Sequence, residues 1–315
     1  MNKVGGYRNF GWGKQMTWAG KQALNSVFGN GRFGTVAGHA ARWRRFCDWA
    51  ATASIRDATD IRVADLAQFA SFISQKVDAG MSVSYGKNLV TSANVTMEAL
   101  RGDKAVWVRP GAFIGQRSLV RQNAPESLER AKVQVAADRL ASAGKSREAA
   151  LVTLCREFGL RRREAALLPL RLAHMQARHL GRINVTEGTK GGRGKSVDRW
   201  VPAKDAAISA LEHAIRAANG ADKLIPPQAT FGQWGTAVSK TWRNAAGPLD
   251  LGPLKDLRAA YACERYRELT GYEAPVVAGQ RCAEKSVDRY ARRQISQELG
   301  HNRIDVVAAY VGSAR

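Results

Sequence analysis

Residues 182–203 read RINVTEGTKGGRGKSVDRWVPA, two short β-type runs on either side of a Gly-rich, basic turn. β-Branched residues flanking a glycine cluster signal a hairpin, because such turns use backbone angles that glycine adopts at least cost. Nowhere else in the 315 residues is the strand signal strong. Working outward toward the N terminus, apolar side chains recur at steps of three and four from Thr35 to about Gly102. Trp43, Phe46, Cys47 and Ala50 form one stripe. Leu66, Phe69, Ala70, Ile73 and Val77 form a second, closed by Gly80 where a C-terminal cap belongs, and a third helix runs from near Ser84 to Gly102. Helical signals resume at Pro125, pause at Gly144 and continue to Phe158. After the hairpin the chain is again mainly helical. The expected fold class is therefore mainly α with a small β-hairpin, an α+β arrangement. The aromatic stripe belongs to the core, and so does Trp200 on the second strand.

A length of 315 residues suggests two domains. Residues 1–34 contain no acidic side chain and many glycines, and are expected to be a basic segment without a fixed fold of its own. Residues 35–105 form a small helical domain. Residues 106–124 hold Pro110, Gly111 and Gly115 without a convincing period and read as a basic linker. Residues 125–315 make the second domain.

The charge balance narrows the partners. Lys and Arg number 49 against 27 Asp and Glu, a formal net charge of +22. A field of that sign attracts polyanions, either nucleic acids or acidic membrane surfaces. No stretch approaches the roughly 18 apolar residues needed to cross a bilayer, no signal-peptide pattern opens the chain, and the basic residues are not gathered on one amphipathic helix. Nucleic acid is the expected partner, with no membrane. Arg42, Arg44, Arg45, Arg109, Arg117, Arg121, Arg193 and Lys195 are the candidate phosphate contacts. The four cysteines show no metal-type spacing and read as reduced, mostly packed thiols of a cytoplasmic protein.

Three separated motifs carry the chemistry, the third of them a pair of C-terminal segments. FGLRRREAALLPL, residues 158–170, places Arg161 at a helix start with Glu164 one turn later. TKGG puts Lys190 on the hairpin turn. LKDLRAAYACER sets Lys255 and Arg258 on one helical face, and ELGHNRIDVVAAY sets His301 nine residues before Tyr310.

In order and spacing these motifs resemble the tyrosine recombinase (phage integrase) family over residues 125–315. In that family an arginine follows Gly-Leu with an acidic residue three later, a hairpin lysine precedes a Gly-rich turn and an R-x-V-P stretch like Arg199-Trp200-Val201-Pro202, and an L-G-H box precedes the nucleophile by nine residues. The resemblance implies a two-part protein closing as a clamp around double-stranded DNA, with residues 35–105 as a SAM-like core-binding domain. It implies a catalytic set of Arg161, Lys190, Lys255, Arg258, His301 and Tyr310, with Glu164 behind Arg161. Phosphodiester cleavage by tyrosine builds charge on the nonbridging oxygens, which two guanidiniums can clamp bidentately. A tyrosine hydroxyl, with an ordinary pKa near 10, needs cationic surroundings and a proton acceptor. Lys190 is the family-based general acid for the leaving 5′-oxygen, and His301 a hydrogen-bond partner of the phosphate. The 3′-phosphotyrosine keeps the bond energy for religation, so neither metal nor nucleotide cofactor is expected. The resemblance further implies a monomer when free, a homo-tetramer on paired sites, an accessory DNA-bending factor and a place at the bacterial nucleoid.

Three departures stand out. Lys255 occupies the position where most relatives have histidine. Between Arg258 and His301 lie 42 residues, more than is usual, and the extra piece near 271–293 carries Arg281, Lys285, Arg289, Arg292 and Arg293, expected to form an additional helix or a DNA contact. Five residues follow Tyr310 where many relatives carry a docking helix, so assembly is expected to differ unless the chain continues. Rival readings are a type IB topoisomerase-like relaxing enzyme and a catalytically silent architectural DNA-binding protein. Tyr290 precedes the L-G-H box and is the weaker nucleophile candidate.

Overall fold

The apolar periodicity of the first hundred residues resolves into helices joined by short turns. The computed structural model describes residues 7–29 and 31–314, apart from the side chains of Arg193 and Lys195. The chain divides into two units, Met1–Ser118 and Leu119–Arg315.

The first unit contains α1 (Met16–Phe28), α2 (Phe33–Thr52), α3 (Val63–Asp78), α4 (Val83–Arg101) and the short α5 (Pro110–Phe113). Its core is built on the expected aromatic stripe. Trp43 stacks on Phe46 at 4.9 Å and Phe46 meets Phe69 edge-on at 5.0 Å, all three at most 1% exposed. For residues 7–29 the expectation of no fixed fold is overturned. Met16, Ala19, Ala23 and Leu24 fall on one face of α1 and are buried against α2 and α4. Gly20 serves close packing there: a Cβ would lie 2.8 Å from Thr96 and closer still to the Trp43 ring. A count of glycines and charges misses this, because burial depends on which face repeats and not on composition. The calls on Lys3, Gly5 and Gly6 lie outside the described residues.

Much of the expected linker belongs to this unit as well. Val106, Val108 and Ile114 are buried, and the Asn94 side chain bonds both the N–H and the C=O of Val108.

The second unit runs α6 (Arg130–Ser142), α7 (Ser146–Phe158), α8 (Arg162–Leu167), α9 (Leu170–Leu180), β1 (Arg182–Asn184), β2 (Trp200–Pro202), α10 (Asp205–Ala218), α11 (Phe231–Ala246), α12 (Leu254–Thr270), α13 (Pro275–Ala278), α14 (Lys285–Glu298) and α15 (Ala308–Val311). The strands pair antiparallel with Ile183 opposite Val201, both fully buried, so the apolar members of the alternation anchor the hairpin to the core. Trp200, assigned to the core from sequence, is only half-buried: it sits opposite Asn184, on the other face from Val201, and carries the Arg182 guanidinium 4.7 Å from its ring. α12 is the central element. Residues from Asp256 to Cys263 are all buried, against α7, α14 and α15. Three of the four cysteines are packed; Cys282 is exposed.

Candidate active site

The site lies where the N-terminal half of α12, the start of α8, the β1–β2 connection, α15 and the turn after α14 converge. Each catalytic candidate sits at or near the end of an element, where the backbone turns and a side chain can be presented. Arg161 is the N-cap residue of α8, and its N–H donates to Glu164 Oε2 at 2.7 Å. Arg258 lies just inside α12. Lys190 opens the 3-10 turn 190–195 between the strands. His301 follows the left-handed Gly300 after α14, with its N–H donating to Ser296 O at 2.8 Å.

Four of the six residues expected to act together meet: Arg161, Arg258, His301 and Tyr310. His301 Nε2 is 3.0 Å from Tyr310 Oη, and Arg258 Nε donates to the same hydroxyl at 3.4 Å. His301 Nε2 also lies 3.4 Å from Arg161 Nη2 and 3.4 Å from Arg258 Nη2. Arg258 is held by backbone: it donates to Gly159 O and, at 2.5 Å, to Leu299 O. A cleft of about 750 Å³ opens onto this group, lined among others by Arg161, Lys190, Arg199, His301 and Tyr310. Exposed Lys190 thus faces the same space. Lys255 does not: it is exposed on the first turn of α12 and is not among the cleft's lining residues. Tyr290 is 54% exposed on α14 and likewise lies off the cleft.

Beneath the cleft sits Glu164, fully buried. Arg161 Nη1 approaches it at 2.5 Å, Arg199 Nη1 at 2.8 Å and Arg258 Nη1 at 3.6 Å. Burial pushes the Glu164 carboxyl up, yet Arg199, Arg258 and Arg161 outweigh it and hold the pKa down at about 2. One anion thus ties three guanidiniums together. Burial, with Arg199 beside it, pushes Arg258 down to about 10, which leaves it charged at neutral pH. Burial first, then Arg258, Arg161 and Arg199, push His301 down to about 4, so its imidazole is neutral at pH 7. A neutral ring with a free Nε2 accepts a proton from the hydroxyl it touches.

Arg199 was not singled out from sequence. It is 4% exposed, donates from Nε to Glu298 O at 2.7 Å, and lines the cleft. Its Nη1 faces Glu164 out of hydrogen-bond alignment, and its Nη2 has no hydrogen-bond partner among the described residues. Its place in Arg199-Trp200-Val201-Pro202 was the available signal.

The other basic candidates sort differently. Arg44, Arg45, Arg109 and Arg117 are exposed, and Arg42 is half-buried on α2. Arg121 is corrected from a free phosphate contact to an internal tie: its Nη2 pairs with the buried Asp256 at 2.5 Å and its Nε donates to Asn123 O. The side chains of Arg193 and Lys195 lie outside the described residues. In the 271–293 piece the cations divide by helix phase. Arg292 points inward to Asp288, and Arg281 is half-buried and donates to Ala283 O and Ala314 O. Lys285, Arg289 and Arg293 recur every four residues on the exposed face of α14, which leads to Gln297 at the cleft. None of these three pairs with a carboxylate among the described residues.

Comparison with known proteins now bears on this geometry. The family model described as Integrase matches residues 115–264, a span holding Arg161, Lys190 and Arg258. Among solved structures, a XerH site-specific recombinase bound to its palindromic difH substrate matches over 94% of this chain and 81% of its own, at 16% identity and a TM-score of 0.58. A lambda integrase dimer bound to a core site matches over 90% and 73%, at 14% identity and 0.56. The Tn1549 transposon integrase in complex with a circular intermediate DNA matches over 93% and 95%, at 12% identity and 0.56. At these identities the likeness is one of fold. A comparison with curated protein sequences gives no significant match. Together, the matched model and the fold make the second unit similar to integrases. The likeness in sequence is to the Integrase family and spans residues 115–264.

Proposed function

We propose that this protein is a site-specific DNA recombinase that cleaves and rejoins duplex DNA through a 3′-phosphotyrosine at Tyr310. The observation that carries the reading is the Tyr310 hydroxyl held between His301 Nε2 and Arg258 Nε at the edge of a cationic cleft. In the forward step Tyr310 Oη bonds to phosphorus as the bond to the 5′-oxygen breaks. Neutral His301 takes the hydroxyl proton, and Lys190 gives a proton to the leaving oxygen. Arg161 and Arg258 stabilise the charge that develops on the nonbridging oxygens, where fixed donors act more strongly than in water. His301 thereby acts on the nucleophile as well as on the phosphate. Rejoining runs the same path backward from a 5′-hydroxyl.

DNA is the partner, as it is for the three structural relatives. Lys285, Arg289 and Arg293 supply phosphate contacts flanking the cleft, alongside Arg42, Arg44, Arg45, Arg109 and Arg117. Lys255 is assigned a backbone contact, since it does not line the cleft. A free monomer assembling into a tetramer on paired sites, with an accessory bending factor, completes the reading. Among the described residues no helix is long and apolar enough to cross a membrane.

The test is a nicked suicide duplex carrying a candidate site, incubated in EDTA and resolved on a denaturing gel. A covalent protein–DNA band for the wild type, absent for Tyr310→Phe, supports the reading. Tight binding without a band sinks the enzyme claim. Relaxation of supercoiled plasmid regardless of sequence, without exchange, converts it to a topoisomerase.

A further inference from the structure

We propose that the segment between α12 and the His301 turn is a clasp that positions the nucleophile, with Arg292 as its central positioning residue. The inference rests on Tyr310 being the nucleophile. The chain leaves α15 after Val311, since Gly312 has φ +87°, and among the described residues 312–314 no helix satisfies the carbonyls there. Arg292 reaches these carbonyls from α14. Its Nη1 donates to Gly312 O at 3.1 Å and its Nη2 to Ser313 O at 2.8 Å. The guanidinium has little freedom of its own. Its Nε donates to both oxygens of Asp288, at 2.9 and 3.0 Å, and Tyr266 Oη donates to Asp288 Oδ1 at 2.8 Å. Arg292, Asp288 and Tyr266 are all at most 4% exposed.

Two more contacts come from the same segment. Arg281 Nε donates to Ala314 O at 3.0 Å, and Gly312 packs so closely on α13 that a Cβ would lie 2.7 Å from the Val276 nitrogen. Three successive carbonyls, those of residues 312, 313 and 314, are thus gripped by two arginines of one segment. Asp288 sets the fork of Arg292 in a fixed plane, and a planar, five-donor cation is the side chain that can hold two carbonyls at once. On the other side of Tyr310, Arg121 N–H donates to Ala308 O at 2.9 Å, and Val307 and Val311 are fully buried. The nucleophile is therefore held from both directions against the cleft of its own chain. Geometry of this kind governs rate, because a misplacement of about 1 Å at a reacting atom can cost about a hundredfold.

The experiment compares wild type, Arg292→Met and Gly312→Ala, each full length, in single-turnover cleavage of the suicide duplex. Hydrogen exchange of residues 307–314 is followed in parallel. The clasp predicts that both variants cleave at least tenfold more slowly at saturating DNA, bind the duplex within twofold of wild type, and exchange faster in 307–314 while α7 and α12 stay protected. Arg292→Lys, which keeps the charge but not the fork, falls between. Replacing the leaving 5′-oxygen by sulfur does not restore the rate, as it would where proton donation is the defect. Wild-type cleavage by folded Arg292→Met overturns the clasp and leaves the recombinase reading standing. Should the wild type itself fail to cleave, that reading falls, and unchanged exchange of 307–314 in both variants overturns the clasp independently. Gly312→Ala decides the matter should Arg292→Met fail to fold.

Discussion

Glu164→Gln isolates the contribution of a buried anion among three cations with almost no change in shape. The carboxyl is fully buried, with guanidinium nitrogens at 2.5, 2.8 and 3.6 Å. Its pKa falls from an ordinary 4.5 to about 2, and at 1.4 kcal/mol per pH unit that corresponds to about 3 kcal/mol of stability. Breaking one partner out of a buried pair typically costs 3–5 kcal/mol, in agreement. For a unit of this size the loss lowers Tm by roughly 10 °C. A depressed carboxylate pKa stabilises fully above the unfolded value and loses that contribution as pH falls through the folded one. The wild-type advantage is therefore about 3 kcal/mol at pH 7 and shrinks toward about 1 kcal/mol near pH 3. Hydrogen exchange of amides in α8 and α12 reads the free energy of opening in this unit alone. A difference below about 1 kcal/mol at pH 7, or one that does not change between pH 7 and pH 3, would refute the argument that Glu164 binds the arginines as a charge. Bound DNA should narrow the gap, because the scissile phosphate brings a new anion to the same guanidiniums.

Four further outcomes follow from the same geometry. Lys190→Ala should slow cleavage by about 10² to 10⁴, the usual range for a general acid, and a 5′-sulfur leaving group should restore most of it; failure of that rescue removes Lys190 from the proton path. Arg258→Lys keeps the charge but cannot reproduce the planar fork that reaches Gly159 O, Leu299 O and Tyr310, so a loss of about 10² in single-turnover rate is expected, and an unchanged rate would count against a clamp. His301 has a folded pKa near 4 against an ordinary 6.5, so protons favour the unfolded chain. That penalty is absent above pH 6.5 and grows as pH falls toward 4, to about 2 kcal/mol once partial solvent access is discounted; a His301→Asn titration with an identical slope would disprove it. Replacing Lys285, Arg289 and Arg293 together by Gln should reduce the slope of log Kd against log salt by about 2 to 3, and an unchanged slope would move these residues off the DNA.

What could be read in advance, and what could not, separates along a physical line. That Arg161, Arg258, His301 and Tyr310 meet was legible because each lies in a motif whose residue types suit phosphodiester chemistry, and because each sits beside a turn or a helix end that leaves its own mark in sequence, Gly159 and Gly300 among them. The hairpin was legible from Ile183 and Val201, whose burial enforces the alternation. Residues 16–28 were misread since the middle of the apolar face of α1, between Met16 and Leu24, is made of small residues, Ala19, Gly20 and Ala23, which pack by closeness and not by bulk. Arg121 was misread for another reason, one that also left Arg292 open between an additional helix and a DNA contact. A cation in a basic run carries no sign of whether its partner is a phosphate outside or a carboxylate and carbonyls inside. Only helix phase decides. On α14 the buried positions Asp288, Ala291, Arg292 and Ile295 define the inner face, so Arg289 and Arg293, one residue away in phase, turn outward. A single inward carboxylate is enough to convert one arginine of the run from an outward charge into a strut for the backbone of residues 312 and 313. The net charge of +22 therefore overstates the surface available to phosphate, and the arginines it hides are those that hold the site together.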